Sequence, residues 1–208
     1  MLILFLVWTA AVSFIDVQPI GPLDSEVGFA ALNGAFHDMT GVNMTLYDIT
    51  DILGLIPILI VLAFAVLGLV QLITRKSIFK VDSDIIALGV FFVLVAAVYL
   101  FFEVFVINHR PVLIEGVLEA SYPSSTTMLV LAVMPVTMMQ LRKRIGNGTL
   151  RVILLTVCGL FTAFTVIARI ISGVHWITDI IGGALVAAGL VLIYEAACVL
   201  LAKKSGKH

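Results

Sequence analysis

Charge is what this sequence has least of. Only 12% of its 208 residues are Asp, Glu, Lys or Arg, about half of what a soluble domain of this size carries. Net charge is −1, so no basic excess points to nucleic acid. Two cysteines, Cys158 and Cys198, each lie inside an apolar run and read as small buried hydrophobes, not as a disulfide or metal pair. No second histidine or carboxylate near His175 has metal-ligand spacing, so no metal or other cofactor is expected. Internal repetition of the kind that builds transporters from inverted halves is also missing.

Apolar residues fill that space. They make up 62% of the chain, and mean hydropathy is +1.20. Crossing about 30 Å of hydrocarbon takes about 20 apolar residues in a helix. Runs that approach this length lie at roughly 2–15, 53–73, 85–107, 126–141, 151–171 and 177–201. The first has the length of a signal-peptide core, but no basic residue precedes it and no small-x-small cleavage site follows, so it reads as a retained span. The expected fold is an all-α membrane protein, one domain over residues 1–208, built as a bundle of about six transmembrane helices.

Lysine and arginine are distributed unevenly. Arg75, Lys76, Lys80, Arg142, Lys143, Arg144, Arg151, Lys203, Lys204 and Lys207 all fall on one side if every run crosses once. By the positive-inside rule that side is cytoplasmic. Segment 16–50 holds no lysine or arginine and is expected outside; within it, 26–36 reads as a helix lying on the bilayer surface. The expected location is the plasma (cytoplasmic) membrane. Only Arg110 and Arg169 break the asymmetry, both at the outer face. A lone arginine there reads as a headgroup anchor. Two in one plane, beside a histidine and a helix start, suit an anion, because the planar fork of guanidinium matches phosphate oxygens.

The stretch RIISGVHWITD, residues 169–179, packs an arginine, a histidine and an aspartate into this charge-poor chain. His175 and Asp179 are four apart at the start of the last run and so share a helical face. A carboxylate one turn from an imidazole fixes its tautomer and leaves the other nitrogen free to attack phosphorus or bind metal. That pair alone fits a structural role equally well. However, SYPSSTT at 121–127 opens another run at the same face. Proline followed by hydroxyl residues marks a helix N-terminus, with Ser124 or Ser125 as cap, and such a terminus favours an anion. NHRP at 108–111 adds Arg110.

These motifs resemble those of the type-2 phosphatidic acid phosphatase (PAP2) superfamily, membrane lipid phosphatase branch, over about residues 50–200. Its signatures are lysine, six residues, arginine–proline; proline–serine–glycine–histidine; and serine–arginine, five residues, histidine, three residues, aspartate. The resemblance implies a helical bundle with its active site at the extracytoplasmic face. It also implies that His175 is a nucleophile forming a phosphohistidine and that Asp179 orients it, with Arg110, Arg169 and Ser124, beside Ser125, holding phosphoryl oxygens. The substrate implied is a lipid phosphate or a polyprenyl diphosphate in the bilayer.

The first two signatures are degenerate. Glu103 stands where the first-signature lysine belongs and Thr126 where the second-signature histidine belongs, while in the third signature Ala168 replaces the serine before Arg169. In the family that histidine protonates the leaving oxygen, a contribution typically worth about 10²–10⁴-fold. Its loss favours a lipid diphosphate, whose monophosphate leaving group has a last pKa near about 6. His109 and Glu103 are the candidate replacement donors. Glu103 reads alternatively as an ion-pair partner of Arg110 or Arg169, and His109 as an interfacial histidine. A phosphotransferase using the same intermediate, or a catalytically silent binder or carrier of phosphorylated lipid, are the competing readings. His37 and His208 read as exposed and without partners, and Glu195 as a snorkelling or paired acid.

Overall fold

The computed structural model describes residues 1–204, so Lys207 and His208 lie outside the described residues. Eight α-helices follow in order: α1 (Leu2–Phe14), α2 (Ala30–Thr40), α3 (Met44–Leu53), α4 (Leu55–Arg75), α5 (Ser83–Val104), α6 (Ser125–Arg144), α7 (Gly148–Ile171) and α8 (Ile177–Lys204). Four stretches are long and apolar enough to cross a membrane: Met44–Arg75, Ser83–Val104, Gly148–Ile171 and Ile177–Lys203. Their outward side chains are apolar and bare. Leu62 is 55% exposed, Val93 68% and Leu160 67%, a surface only hydrocarbon would cover without cost. The chain is an integral membrane protein.

The remaining two apolar runs behave differently, for physical reasons. Helix α6 packs against α4, α5, α7 and α8 and is the centre of the bundle. Its Val130, Ala132, Val133 and Val136 are fully buried. Since protein surrounds it, it need not be uniformly apolar, and it carries Thr126, Thr127, Thr137 and Gln140 inside. Helix α1 has 13 residues, about 20 Å at 1.5 Å per residue, short of the bilayer core. It lies along the first half of α8: Trp8 Nε1 donates to the Thr178 carbonyl (3.1 Å), while the side chain of Leu2 sits where a Cβ on Gly189 would fall.

Segment 26–36 is not a detached surface helix. Asn33 on α2 is fully buried; its amide donates to the Gly28 carbonyl (2.7 Å) and Thr178 Oγ1 (3.0 Å) and accepts from Thr178 N (3.3 Å). Thus α2 is pinned over the start of α8. His37, expected to be partnerless, packs its ring on Trp176 (5.5 Å). Helix α3, capped by Asn43, whose side chain accepts from Leu46 N, was not foreseen from the apolar pattern.

At one end the basic residues converge. Arg75 pairs with Asp82 (2.7 Å), Lys143 with Asp84 (2.8 Å), and Arg144 bridges both acids (3.2 Å each). The pairs tie the α4–α5 turn to the end of α6. The hydrogen bond from Arg75, ahead of the other contacts, pulls the Asp82 carboxyl from 3.8 down to about 2. A carboxyl held lower in the folded state contributes stability that is complete above about pH 4 and disappears as pH falls through about 2. Asp82→Asn is therefore expected to lower the melting temperature in detergent at pH 6 and to match wild type near pH 2. Parallel curves for the two proteins across that range would refute the role given to this pair.

Candidate active site

The other end of the bundle collects the starts of α6 and α8 and the ends of α5 and α7. Two glycines on α8 let the chain close up there. A Cβ on Gly183 would lie 2.9 Å from the Ser124 carbonyl, and one on Gly182 only 2.6 Å from the Tyr122 ring, so only hydrogen fits. The Ser124 amide donates to the backbone carbonyl of Asp179 (3.0 Å), which fixes α6 against α8.

Asp179 is the third residue of α8 and reaches back to cap it. Its Oδ2 accepts from Trp176 N (3.0 Å), and its Oδ1 accepts from Asn108 Nδ2 (3.2 Å). This is the carboxylate half of a capping box. The same Oδ2 lies 3.7 Å from His175 Nδ1, longer than a hydrogen bond; His175 precedes α8, so the cap brings the two side chains together and not the shared helical face expected from the spacing. Catalytic contacts often have this looseness before substrate arrives. On the opposite side of the ring, Arg110 Nη1 is 3.1 Å from Nε2. A guanidinium has only donors, so Nε2 accepts and the imidazole proton sits on Nδ1, toward Asp179. Burial, then the charges of Arg110 and Arg169, push the His175 pKa well below its ordinary range. The imidazole is neutral at pH 7, as a nucleophile requires.

Arg110 is held by a hairpin in the α5–α6 connection. The chain turns at Glu115 and Gly116, both with positive φ, the backbone of a two-residue hairpin turn. Ladder bonds from Arg110 N to the Glu119 carbonyl (3.0 Å) and from Ser121 N to the Asn108 carbonyl (2.9 Å) bring Glu119 alongside. Its Oε2 lies 2.9 Å from Arg110 Nε, in ion-pair range but off the hydrogen-bond axis, so Nε keeps no hydrogen-bond partner. This corrects the pairing expected for Glu103, which makes no ion pair among the described residues. The hairpin, not the helix face, chooses the partner of Arg110.

Arg169 is 1% exposed and is gripped by α3. Its Nη1 donates to Thr50 Oγ1 (3.0 Å), its Nη2 lies 3.7 Å from Asp51 Oδ1, and the Tyr47 ring faces its guanidinium at 4.7 Å. Arg110 faces the same ring at 5.6 Å. Tyr47 thus stands against both cations.

A cavity of about 560 Å³ opens between these residues, and His175, Arg110, His109, Glu103 and Ser125 line it. Arg169, Asp179 and Ser124 are buried behind its wall. Ser124 Oγ donates to Thr127 Oγ1 (3.0 Å) and does not cap α6, so no side chain occupies that helix start. A second cavity of about 460 Å³, lined by apolar residues of α4, α5 and α6 such as Ile58, Val61, Phe92 and Leu129, shares Asp51, Tyr99, Ser125 and Met128 with the first. Thr126 lines this apolar one. Among the described residues no group of three or more His, Cys, Asp or Glu is arranged to hold a metal. Tyr47, Asp51, Asn108 and Glu119 went unforeseen. The signals for them were an Asn-capped helix with Tyr47 and Asp51 four apart, and a polar residue closing the long apolar run ahead of His109.

The superfamily model for PAP2 matches residues 108–201. That segment is similar to the PAP2 superfamily. It contains Arg110, Ser124, Arg169, His175 and Asp179, the residues on which the resemblance rested. The fold agrees beyond the matched segment. A crystal structure described as the first transmembrane PAP2-type phosphatidylglycerolphosphate phosphatase, from Bacillus subtilis, superposes with a TM-score of 0.66 at 16% identity, covering 94% of this chain and 92% of that one. No curated protein matches by sequence. The PAP2 match begins at Asn108, so α3 and its grip on Arg169 lie outside it.

Proposed function

We propose that the chain is a membrane phosphatase that removes phosphate from a lipid phosphate or diphosphate through a phosphohistidine on His175, at the extracytoplasmic face. The observation that carries this reading is the placement of the imidazole: Nδ1 is 3.7 Å from Asp179 Oδ2, and Nε2 is 3.1 Å from Arg110 Nη1 at the wall of the polar cavity. In the reaction Nε2 bonds to phosphorus as the bond to the lipid oxygen breaks, and Asp179 balances the imidazolium that results. Arg110 exchanges Nε2 for a phosphoryl oxygen, and the uncapped start of α6 offers backbone N–H groups to the others. Arg169 acts as a second positive charge behind Tyr47. Water then cleaves the phosphorus–nitrogen bond. The contiguous apolar cavity suits a lipid tail.

Thr126 favours one competing reading, a silent binder or carrier of phosphorylated lipid, because it cannot donate a proton. Phosphate release by purified protein from phosphatidic acid, phosphatidylglycerophosphate and a polyprenyl diphosphate separates the two. Binding of all three without release would end the phosphatase reading. Release with transfer to an added alcohol would identify a phosphotransferase.

Sidedness follows from the charge asymmetry. With Cys158 and Cys198 replaced by alanine, a cysteine at exposed Glu115 is expected to react with an impermeant thiol reagent in intact cells, and one at exposed Lys80 only after lysis. The reverse pattern would invert the topology.

A further inference from the structure

A closed circuit of hydrogen bonds leaves the backbone just ahead of Asp179 and returns to its side chain. Thr178 N donates to Asn33 Oδ1 (3.3 Å), and Asn33 Nδ2 to the Gly28 carbonyl (2.7 Å). Gly28 N then donates to Asn108 Oδ1 (3.3 Å), and Asn108 Nδ2 to Asp179 Oδ1 (3.2 Å). Thr178 precedes Asp179 in the chain, which closes the ring. Asn33, Thr178 and Asp179 are fully buried, and Asn108 is 1% exposed. Each link runs in the same sense, from a donor to the next acceptor. Thr178 N and Gly28 N are backbone donors, so each asparagine must turn its oxygen toward one of them and its NH₂ away. A reversed amide at Asn108 would set NH₂ against Gly28 N and oxygen against the carboxylate. The ring therefore presents a donor to Asp179 Oδ1, in a chain whose members polarise one another. Gly28 is wedged in place, since a Cβ there would strike the Val12 carbonyl of α1.

From this ring we infer that Asn33 and Asn108 are positioning residues for phosphoryl transfer, which aim the Asp179 carboxylate at His175. The inference rests on the phosphatase reading above and goes beyond it. Neither asparagine lines the polar cavity, so both act through Asp179 and not on substrate. The cap bond from Trp176 N holds only Oδ2, and a carboxylate fixed at one oxygen still rocks about that contact. Pinning Oδ1 stops the rocking. Oδ2 then stays 3.7 Å from His175 Nδ1 and has to close by only about 1 Å or less when the imidazolium forms. Gly28 and Asn33 lie outside residues 108–201, the segment that the PAP2 model matches. The N-terminal segment thus takes part in the chemistry of the matched one. Thr178 Oγ1 is a branch off the ring, accepting from Asn33 Nδ2 (3.0 Å), and supplies a control.

The test measures phosphate release from phosphatidic acid, phosphatidylglycerophosphate and a polyprenyl diphosphate in detergent micelles, per folded molecule. It compares Asn33→Ala, Asn108→Ala and Thr178→Val, each with and without Asp179→Ala. Asn108→Ala is expected to lower kcat about 10²-fold, the scale of a misplacement of about 1 Å, and Asn33→Ala, one link further away, about tenfold. KM should stay within about twofold in both, because neither side chain binds substrate. Thr178→Val leaves the ring closed and should keep kcat within about twofold of wild type. Asp179→Ala leaves no carboxylate to aim, so adding either asparagine variant to it should change the rate by about twofold at most. A merely structural role would lower the melting temperature and spare kcat, or lower kcat equally in both backgrounds. Wild-type kcat in either asparagine variant, or losses that multiply with that of Asp179→Ala, would overturn the inference and leave the phosphatase reading intact. If Asn33→Ala does not fold, Asn108→Ala alone and with Asp179→Ala carries the test. Release by wild type from none of the three lipids would remove the phosphatase reading and this inference with it.

Discussion

Replacing His175 with alanine is expected to lower lipid phosphate turnover by at least about 10⁴-fold, the scale seen when a covalent nucleophile is deleted. Nothing else on the cavity wall can take its place. His109 is a neighbour in sequence, but its main-chain carbonyl accepts from Trp176 Nε1 (2.7 Å) and its ring has no carboxylate behind it to balance an imidazolium. The fold should survive. The His175 ring has one side-chain hydrogen-bond partner, Arg110, and Arg110 keeps its ion pair with Glu119. Truncation leaves a gap between Arg110 and Asp179, each of which keeps other partners, so the expected destabilisation is only about 1–2 kcal/mol. Phosphate release, thermal melting in detergent and acid-labile incorporation of radiolabelled phosphate check the three parts. Near wild-type release from His175→Ala would end the covalent mechanism.

Much of the bundle was legible because the bilayer imposes length. The expected runs 85–107, 151–171 and 177–201 became Ser83–Val104, Gly148–Ile171 and Ile177–Lys204, since an apolar stretch ends where it meets water. Even 126–141, diluted by hydroxyls, became Ser125–Arg144. The closeness of His175 and Asp179 was expected from helical period, but His175 lies ahead of α8, and the cap in which Asp179 accepts from Trp176 N brings the two together instead. Contacts between distant segments were not legible. Arg169 was read as a phosphate-binding cation at the outer face with no protein partner named, yet α3, more than a hundred residues earlier, buries it through Thr50, Asp51 and Tyr47. Arg110 looked like the partner of Glu103 seven residues back on a helix face, but α5 ends at Val104 and the hairpin supplies Glu119 instead. Ser124 looked like a cap, and the proximity of α8 turned its hydroxyl toward Thr127. In each case the local pattern was sound and the long-range packing overrode it.

Asp179→Asn should cost activity about 10³–10⁴-fold, comparable with removal of the carboxylate from other imidazole-based sites, and here the geometry gives the reason. Oδ2 accepts from Trp176 N and faces His175 Nδ1, while Oδ1 accepts from Asn108 Nδ2. Each of these three neighbours is a donor. An asparagine has one acceptor and one donor end, so either orientation sets an NH₂ against a donor. If the NH₂ takes the Oδ2 position, it opposes Trp176 N and asks His175 Nδ1 to accept. The imidazole proton then moves to Nε2, where it opposes Arg110 and blocks attack on phosphorus. If it takes the Oδ1 position, it opposes Asn108 Nδ2 and retains the tautomer, but the imidazolium of the intermediate has no counter-charge. The two orientations make different demands on Asn108. Asn108→Asp added to Asp179→Asn supplies an acceptor opposite the Oδ1 position, which favours the orientation that keeps Nδ1–H. The double variant is expected to regain about 1–2 kcal/mol of stability, the scale of one buried donor satisfied. It should also regain part of the lost rate, because the new carboxylate lies within reach of the imidazolium field, though not in contact with Nδ1. Recovery of stability without any recovery of rate would assign Asp179 a direct contact with His175 in the transition state. Full activity in the single variant would reduce Asp179 to the cap of α8.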